Sequence, residues 1–310
     1  MFAVFFRVLP SLSLSQKHHR TATPTQSRIR NLSISQYLDG GSMLNAQPNV
    51  STSRQRNRYE VSIARTAMEV REAQQLRYQV FVEEMGAAVS ASVAAAELDV
   101  DQYDVDCQHL IVRDVQSDLV VGCYRILCPE TAKRRGAYYS DSEFDLSRLA
   151  NIRPTTAEVG RACIHPDFRT GSVIMLLWSG LARFMAENNY EYVIGCASIP
   201  LSDGHANAVA VYDQVATACL APTEYRVFPK NPYPLGAHRP QGNSDGARVI
   251  TMNRARVPAL IKGYSRLGAW ICGEPAWDPD FNTADLFILL PISRMAGVYA
   301  KHFFGNEQAA

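Results

Sequence analysis

The sequence predicts a mixed α/β (α+β) fold: a single central mixed sheet flanked by helices. Three observations carry that reading. Short runs with period-two hydrophobicity come before residue 128 and read as strands in hairpins. After residue 150, strand-like and helix-like runs alternate. A last apolar run, Ala284 to Leu290, reads as a buried strand. Strands first, then β–α–β–α, then a closing strand pair is the order of one mixed sheet.

Taken in order, Tyr59 to Ala64 alternates and reads as the first strand. Residues 67–85 read as an amphipathic helix, with Met68, Val70, Leu76, Val80 and Phe81 at helical spacing and Gly86 ending it. Ala87 to Ala96 is small and Ala/Ser/Val-rich, a loop or short helix. Residues 97–106 place five carboxylates in ten residues without a base. Strands at 108–113 and 119–127 form a hairpin around Gln116-Ser117-Asp118. Residues 129–150 read as a polar connection carrying Lys133-Arg134-Arg135. A strand at 156–164 runs into an Arg/Gly turn and a helix at 172–188, stopped by Asn188-Asn189. Tyr190 to Ile199 is the most strand-like run in the chain, and a helix at 203–217 follows. The Pro/Gly/Asn-rich stretch 229–248 reads as a loop. Pro258 to Ala269 reads as a helix with proline in its first turn, and 293–304 as a terminal helix.

Bulk properties narrow the function. The net charge of +1 hides an asymmetry: residues 1–58 hold eight Arg/Lys and one acid, Asp39, leaving 23 bases and 29 acids in residues 59–310. The folded part is mildly acidic, which gives no nucleic-acid footprint. Residues 11–58 are rich in Ser, Thr, Gln and Arg and read as disordered. We therefore expect a disordered leader over 1–58, either a targeting segment or a mis-assigned start with Met43 as the alternative, and one domain over 59–305. No apolar run approaches the ~20 residues needed to span a bilayer. The seven cysteines form no C-x-x-C pair and sit mostly in apolar runs, which fits reduced, buried thiols in a cytoplasmic protein and no metal site.

Several chemistries can be weighed on residues alone. The acidic run has no central glycine and no glutamate at its twelfth position, so it is not an EF-hand loop. It is either a solvated loop or a seat for a cationic substrate. His109 and Asp114 match H-x-x-x-x-D, but in a strand they face opposite sides and form no dyad. A G-x-S-x-G elbow and a P-loop are both absent. Cys163 and Cys196 have no adjacent base and read as inert. Glu158 and Arg161 are harder to dismiss as packing. Alternation puts them on opposite faces unless a bulge, expected at Gly160, intervenes and frees backbone N–H groups for an oxyanion. Arg169, Thr170, Gly171 and Ser172 form a turn opening a helix, whose first N–H groups attract anions. Tyr212 on the next helix is a structural tyrosine or an acid for a departing thiolate.

The order of elements, with the strand–Arg/Gly turn–helix and the Tyr212 helix after it, resembles the GNAT acyltransferase superfamily. Arg77 to Gly86, Asp101 to Asp104, Arg125 and Glu158 to Arg161 resemble the acyl-homoserine-lactone synthase pattern. Tyr138 to Leu146, Gly160 to Gly171, Leu176 to Arg183, Ile194 to Ile199, Lys262 to Trp270 and Asp278 to Asp285 resemble the ornithine N-alpha-acyltransferases of ornithine-lipid synthesis. Together these motifs span about 59–304.

That resemblance implies a GNAT fold. It also implies attack by the α-amine of L-ornithine on the thioester of a 3-hydroxyacyl-acyl carrier protein, giving lyso-ornithine lipid. Glu158 is then the base, direct or through water, with Tyr212 as the acid. Backbone from Gly160 to Ile164 polarises the thioester carbonyl. Ile164, Arg169, Thr170, Gly171 and Ser172 lie along the donor, the last four at its phosphopantetheine phosphate. Arg77, Phe81, Asp101, Asp104, Arg125 and Arg161 match positions that shape the substrate side in the lactone synthases; that Asp101 and Asp104 also meet the ornithine cation is our own expectation from their charge. The superfamily's glycine-rich turn is degraded here, with Ser172-Val173 after Gly171. A carrier arm bears one phosphate and no adenosine diphosphate, so the degraded turn suits a carrier-protein donor better than coenzyme A. No cofactor is held permanently, and a lipid product implies a cytoplasmic enzyme working at the inner face of the membrane. A lactone synthase using S-adenosylmethionine, an acyltransferase for another amino acid, and a non-catalytic carrier-binding module are the alternatives.

Overall fold

A computed structural model of the chain describes residues 58–87, 89–239, 255–279 and 281–295. The expected leader over 1–58 lies, apart from Arg58, outside the described residues, as does the expected terminal helix beyond residue 295. The chain opens with β1 (Tyr59–Ile63) and α1 (Ala67–Tyr78). Thr66 and Glu69 close a reciprocal capping box that fixes the start of α1. The expected helix over 67–85 exists, but from Gln79 to Glu84 it widens into a π-helix. That widening seats Val80 and Phe81 against Ala73, Leu76, Ile111 and Cys163. After α2 (Ala91–Ala96) come β2 (Gln108–Asp114) and β3 (Leu119–Leu127), the expected hairpin.

The stretch 129–150 is more ordered than a polar connection. It holds α3 (Pro129–Arg135), begun by proline and ended by Gly136, and β4 (Phe144–Asp145). Its apolar residues Ala132, Tyr138, Phe144, Leu146 and Leu149 cover one face of the sheet. Next come β5 (Thr156–Ile164), α4 (Ser172–Glu187), β6 (Tyr192–Pro200) and α5 (His205–Cys219), close to their expected bounds. The described part of the expected loop over 229–248 is not wholly irregular. It contains the end of β7 (Phe228–Pro229), paired with β4, and the short α6 (Leu235–His238). The helix α7 (Ala259–Leu267), β8 (Trp270–Ile271), β9 (Ala276–Asp278) and β10 (Thr283–Pro291) complete the order.

The main sheet runs β1-β2-β3-β5-β6-β10-β8, with β9 also paired to β10. Among the described strand pairs of this sheet only β5 and β6 run parallel, and they pair over just three positions, Thr156 with Tyr192 to Glu158 with Ile194. Val173, Leu177, Leu181 and Met185 of α4 and Leu260, Ile261 and Leu267 of α7 belong to the larger core cluster. Strand alternation sends Val193, Ala197 and Ile199 of β6 into that core, and Ile194 and Cys196 into the cluster capped by 129–150.

Candidate active site

A bulge in β5 creates the site. β3 and β5 are in register at Cys123 with Cys163, and again at Arg125 with Gly160. Tyr124 alone therefore faces both Arg161 and Ala162. The sequence expectation of a bulge at Gly160 is corrected by one residue: Arg161 takes the left-handed conformation, with φ 53°. A long side chain rarely adopts that conformation, and here ion pairs hold it. The bulge overrides strict alternation, so Glu158 and Arg161 line the same cavity with Tyr103, Arg125, Tyr139 and Gly160.

Glu158 is buried and held from both sides. Its Oε2 accepts from Tyr139 N–H at 2.5 Å, and its Oε1 from Ser140 N–H at 2.8 Å and from the Ser140 hydroxyl. Burial pushes its carboxyl above the ordinary glutamate range, and the Ser140 and Tyr139 donors pull part of that back. The Ser140 hydroxyl also meets Cys196 Sγ at 3.3 Å. Sequence reasoning assigned no role to Tyr139 or Ser140, although both stand in the Tyr138-to-Leu146 motif.

The acidic run is neither a solvated loop nor an open cation seat. Arg77 Nε binds Asp99 at 2.7 Å, and its two terminal nitrogens bind Asp104 at 2.6 and 3.1 Å. Arg125 binds Asp101 at 2.6 Å and Asp104 at 3.1 Å. Arg161 binds Asp99 and Asp101, each at 2.9 Å. Three arginines from α1, β3 and β5 thus converge on three aspartates of one loop, all largely hidden from solvent. Asp101 and Asp104, expected to meet the substrate cation, are already neutralised. Both carboxyls lie below the ordinary aspartate range: burial opposes the shift, and the arginines outweigh it. Phe81 is buried in the small cluster under α1 and does not line the Glu158 cavity.

At the far end of β5, the strand stops at Ile164, and His165-Pro166 leads into a short turn, as expected of a terminator. Gly171, with φ 91°, caps α4 without a side-chain acceptor, and no acid occupies the first turn. That leaves the first N–H groups of α4, at exposed Gly171 and Ser172, without a side-chain acceptor and suited to an anion. Arg169 is already committed to Glu84 in a two-pronged ion pair at 2.7 and 2.6 Å, and also donates to the Ile164 carbonyl. Tyr212 is half-buried on α5 and outside the lining of the Glu158 cavity. The His109–Asp114 pairing is absent: His109 bonds the Asp104 carbonyl, and Asp114 bonds Arg58 and Ser117. Burial pushes the Cys163 and Cys196 thiols up, consistent with inert thiols.

A second, almost wholly apolar cavity lies toward α4 and α7, bordered by Trp178, Leu181, Tyr264, Leu267, Ile288 and Leu290. Val159 and Cys196 border both cavities. They adjoin at these residues, where β5 and β6 cease to pair beyond Glu158. Gly195 permits the junction, because a Cβ there would stand 2.5 Å from the Val159 carbonyl oxygen.

Residues 76–179 match the acetyltransferase (GNAT) domain family. Over 260 residues the chain is 35% identical to the L-ornithine N(alpha)-acyltransferase of Agrobacterium fabrum (strain C58), covering 80% of this chain and 86% of that protein. It is 34% identical to the protein of the same name from Rhizobium meliloti (strain 1021), covering 79% and 83%. A solved coenzyme-A-dependent acyl-homoserine lactone synthase, BjaI, shares 15% identity at a TM-score of 0.45, covering 78% of this chain and 85% of that one. The GNAT fold class expected from the sequence holds.

Proposed function

The chain belongs to the family of L-ornithine N(alpha)-acyltransferases, and on that premise we propose that it transfers a 3-hydroxyacyl group from acyl carrier protein to the α-amine of L-ornithine. The observation that carries the reading is that two cavities share Val159 and Cys196 as walls: a polar one holding Glu158 and an apolar one suited to an acyl chain. The thioester carbonyl then lies at the β5 bulge. The ornithine ammonium gives a proton to Glu158, directly or through one water. The freed amine attacks the carbonyl carbon, and bulge N–H groups hold the oxyanion. The C–S bond breaks, the amide nitrogen loses its second proton, and the carrier thiolate gains one. Tyr212 is the sequence-based candidate for that last proton. The phosphopantetheine phosphate rests on the α4 N-terminus at Thr170 to Ser172. The donor arm is a substrate, so the chain holds no permanent cofactor.

Among the described residues no helix is long and apolar enough to cross a membrane. An amphiphilic product suits a protein that touches the cytoplasmic membrane face without spanning it. The test uses purified protein, 3-hydroxyacyl-acyl carrier protein and single amino acids. Free carrier thiol released with ornithine supports the reading. Release only with S-adenosylmethionine points to a lactone synthase, and no release with any amine points to a binding module.

A further inference from the structure

Two groups of acids are buried near the Glu158 cavity, and only one is neutralised. Asp99, Asp101 and Asp104 are matched by Arg77, Arg125 and Arg161. Among the described residues Glu143 and Asp285 have no such match. Asp285 is fully buried in β10, and neither of its carboxylate oxygens has a hydrogen-bond partner. Both Glu143 oxygens lack one too. Burial pushes both carboxyls up, Glu143 to about 8 and Asp285 to about 6, and the groups that act on them next are acids, hydroxyls and a thiol, with no cation among them.

Two hydroxyls stand beside these acids and touch Asp285 only loosely. Ser198 and Thr283 are buried, and neither side-chain oxygen has a full hydrogen bond. Ser198 lies directly across from Asp285 in the β6–β10 register, and Thr283 is two residues earlier on the same face. Buried polar groups are normally paired, because leaving one unpaired costs about 1–3 kcal/mol. What this group lacks is a positive charge and N–H donors. An ammonium supplies both.

Its position is also specific. The Ser140 hydroxyl touches Glu158 on one side and Cys196 on the other. Cys196 lines the Glu158 cavity and precedes Ser198 by two residues on the same face of β6. The unpaired acids therefore begin where that cavity ends. We infer that Glu143 and Asp285, with the Ser198 and Thr283 hydroxyls, receive the side-chain ammonium of ornithine while its α-amine faces Glu158. This rests on the reading of ornithine as the acceptor. It makes the chain selective for a diamino acid, since a neutral side chain leaves the acids uncompensated.

The experiment compares kcat/KM for L-ornithine and for L-norvaline, which keeps the carbon chain without the terminal amine. It uses the wild type, Asp285→Asn and Glu143→Gln, each checked for folding by circular dichroism. The wild type should favour ornithine. In each folded variant the preference should fall about 100-fold, chiefly through a higher KM for ornithine. If one variant fails to fold, the other decides. A preference kept intact in the folded variants overturns the inference and leaves ornithine acylation standing. A wild type that transfers no acyl group to ornithine overturns the functional reading itself.

Discussion

The backbone N–H of Ser140 donates to Glu158 Oε1 at 2.8 Å, and its hydroxyl bonds the same oxygen. One residue of the cap over the sheet thus orients the carboxylate at the end of the β5–β6 pairing. Glu158→Gln removes the base and places an amide against those donors. Turnover should fall by about 10²–10⁴-fold. Burial raises the Glu158 carboxyl, and only its ionised form accepts a proton. Wild-type kcat should therefore climb with pH through that raised value, and the variant should lose this limb. Carrier-thiol release measured across pH checks both.

The Arg77–Asp99–Asp104 contacts are structural. Arg77→Ala leaves two buried aspartates short of a cation and should cost about 3–5 kcal/mol in denaturant unfolding. The pH response has a definite sign. The Asp101 and Asp104 carboxyls are depressed in the folded state. Their contribution is present above the ordinary aspartate value of 3.8 and is lost as pH falls through the depressed values. Unfolding midpoints followed from neutral into acid should show that loss, and Arg77→Ala should blunt it.

Gly195→Ala tests the junction of the cavities. Its Cβ would stand 2.5 Å from the Val159 carbonyl oxygen, which is backbone and must move. The substitution should cost about 1–3 kcal/mol of stability. It should also reduce acyl transfer, because Val159 borders both cavities. Paired unfolding and turnover measurements check this.

For carrier docking, the basic run divides. Arg135 is tied to Asp106 and lies 4.3 Å over the Tyr103 ring, whereas Lys133 and Arg134 are exposed at the end of α3. Neutralising Lys133 and Arg134 should raise the apparent KM for acyl carrier protein, less so at high salt. Arg135→Ala should act on stability as well. Steady-state kinetics at two ionic strengths separates these effects.

Much of the fold was legible in sequence because its signals are local. The β5 run over 156–164, the start of α4 and the Pro258-led helix follow from alternation, Gly171 and proline. The helix at 129–135 was hidden because Lys133-Arg134-Arg135 gives it a polar outer turn, while its inward face is only Ala132 and its neighbours. Within the site, Glu158 and the bulge were readable from one stretch. The partners of Asp101 and Asp104 were not, since Arg77, Arg125 and Arg161 reach them from three separate elements. Asp285 gave one faint signal, a lone carboxylate inside an apolar strand. Only tertiary structure reveals that no described cation pairs with it.

The most direct test of the account is mass spectrometry of lipids from cells expressing the chain, beside cells expressing Glu158→Gln. The account predicts 3-hydroxyacyl-ornithine with the wild type and little or none with the variant. Absence of any N-acyl-ornithine with the wild type, or equal amounts from both, would contradict it.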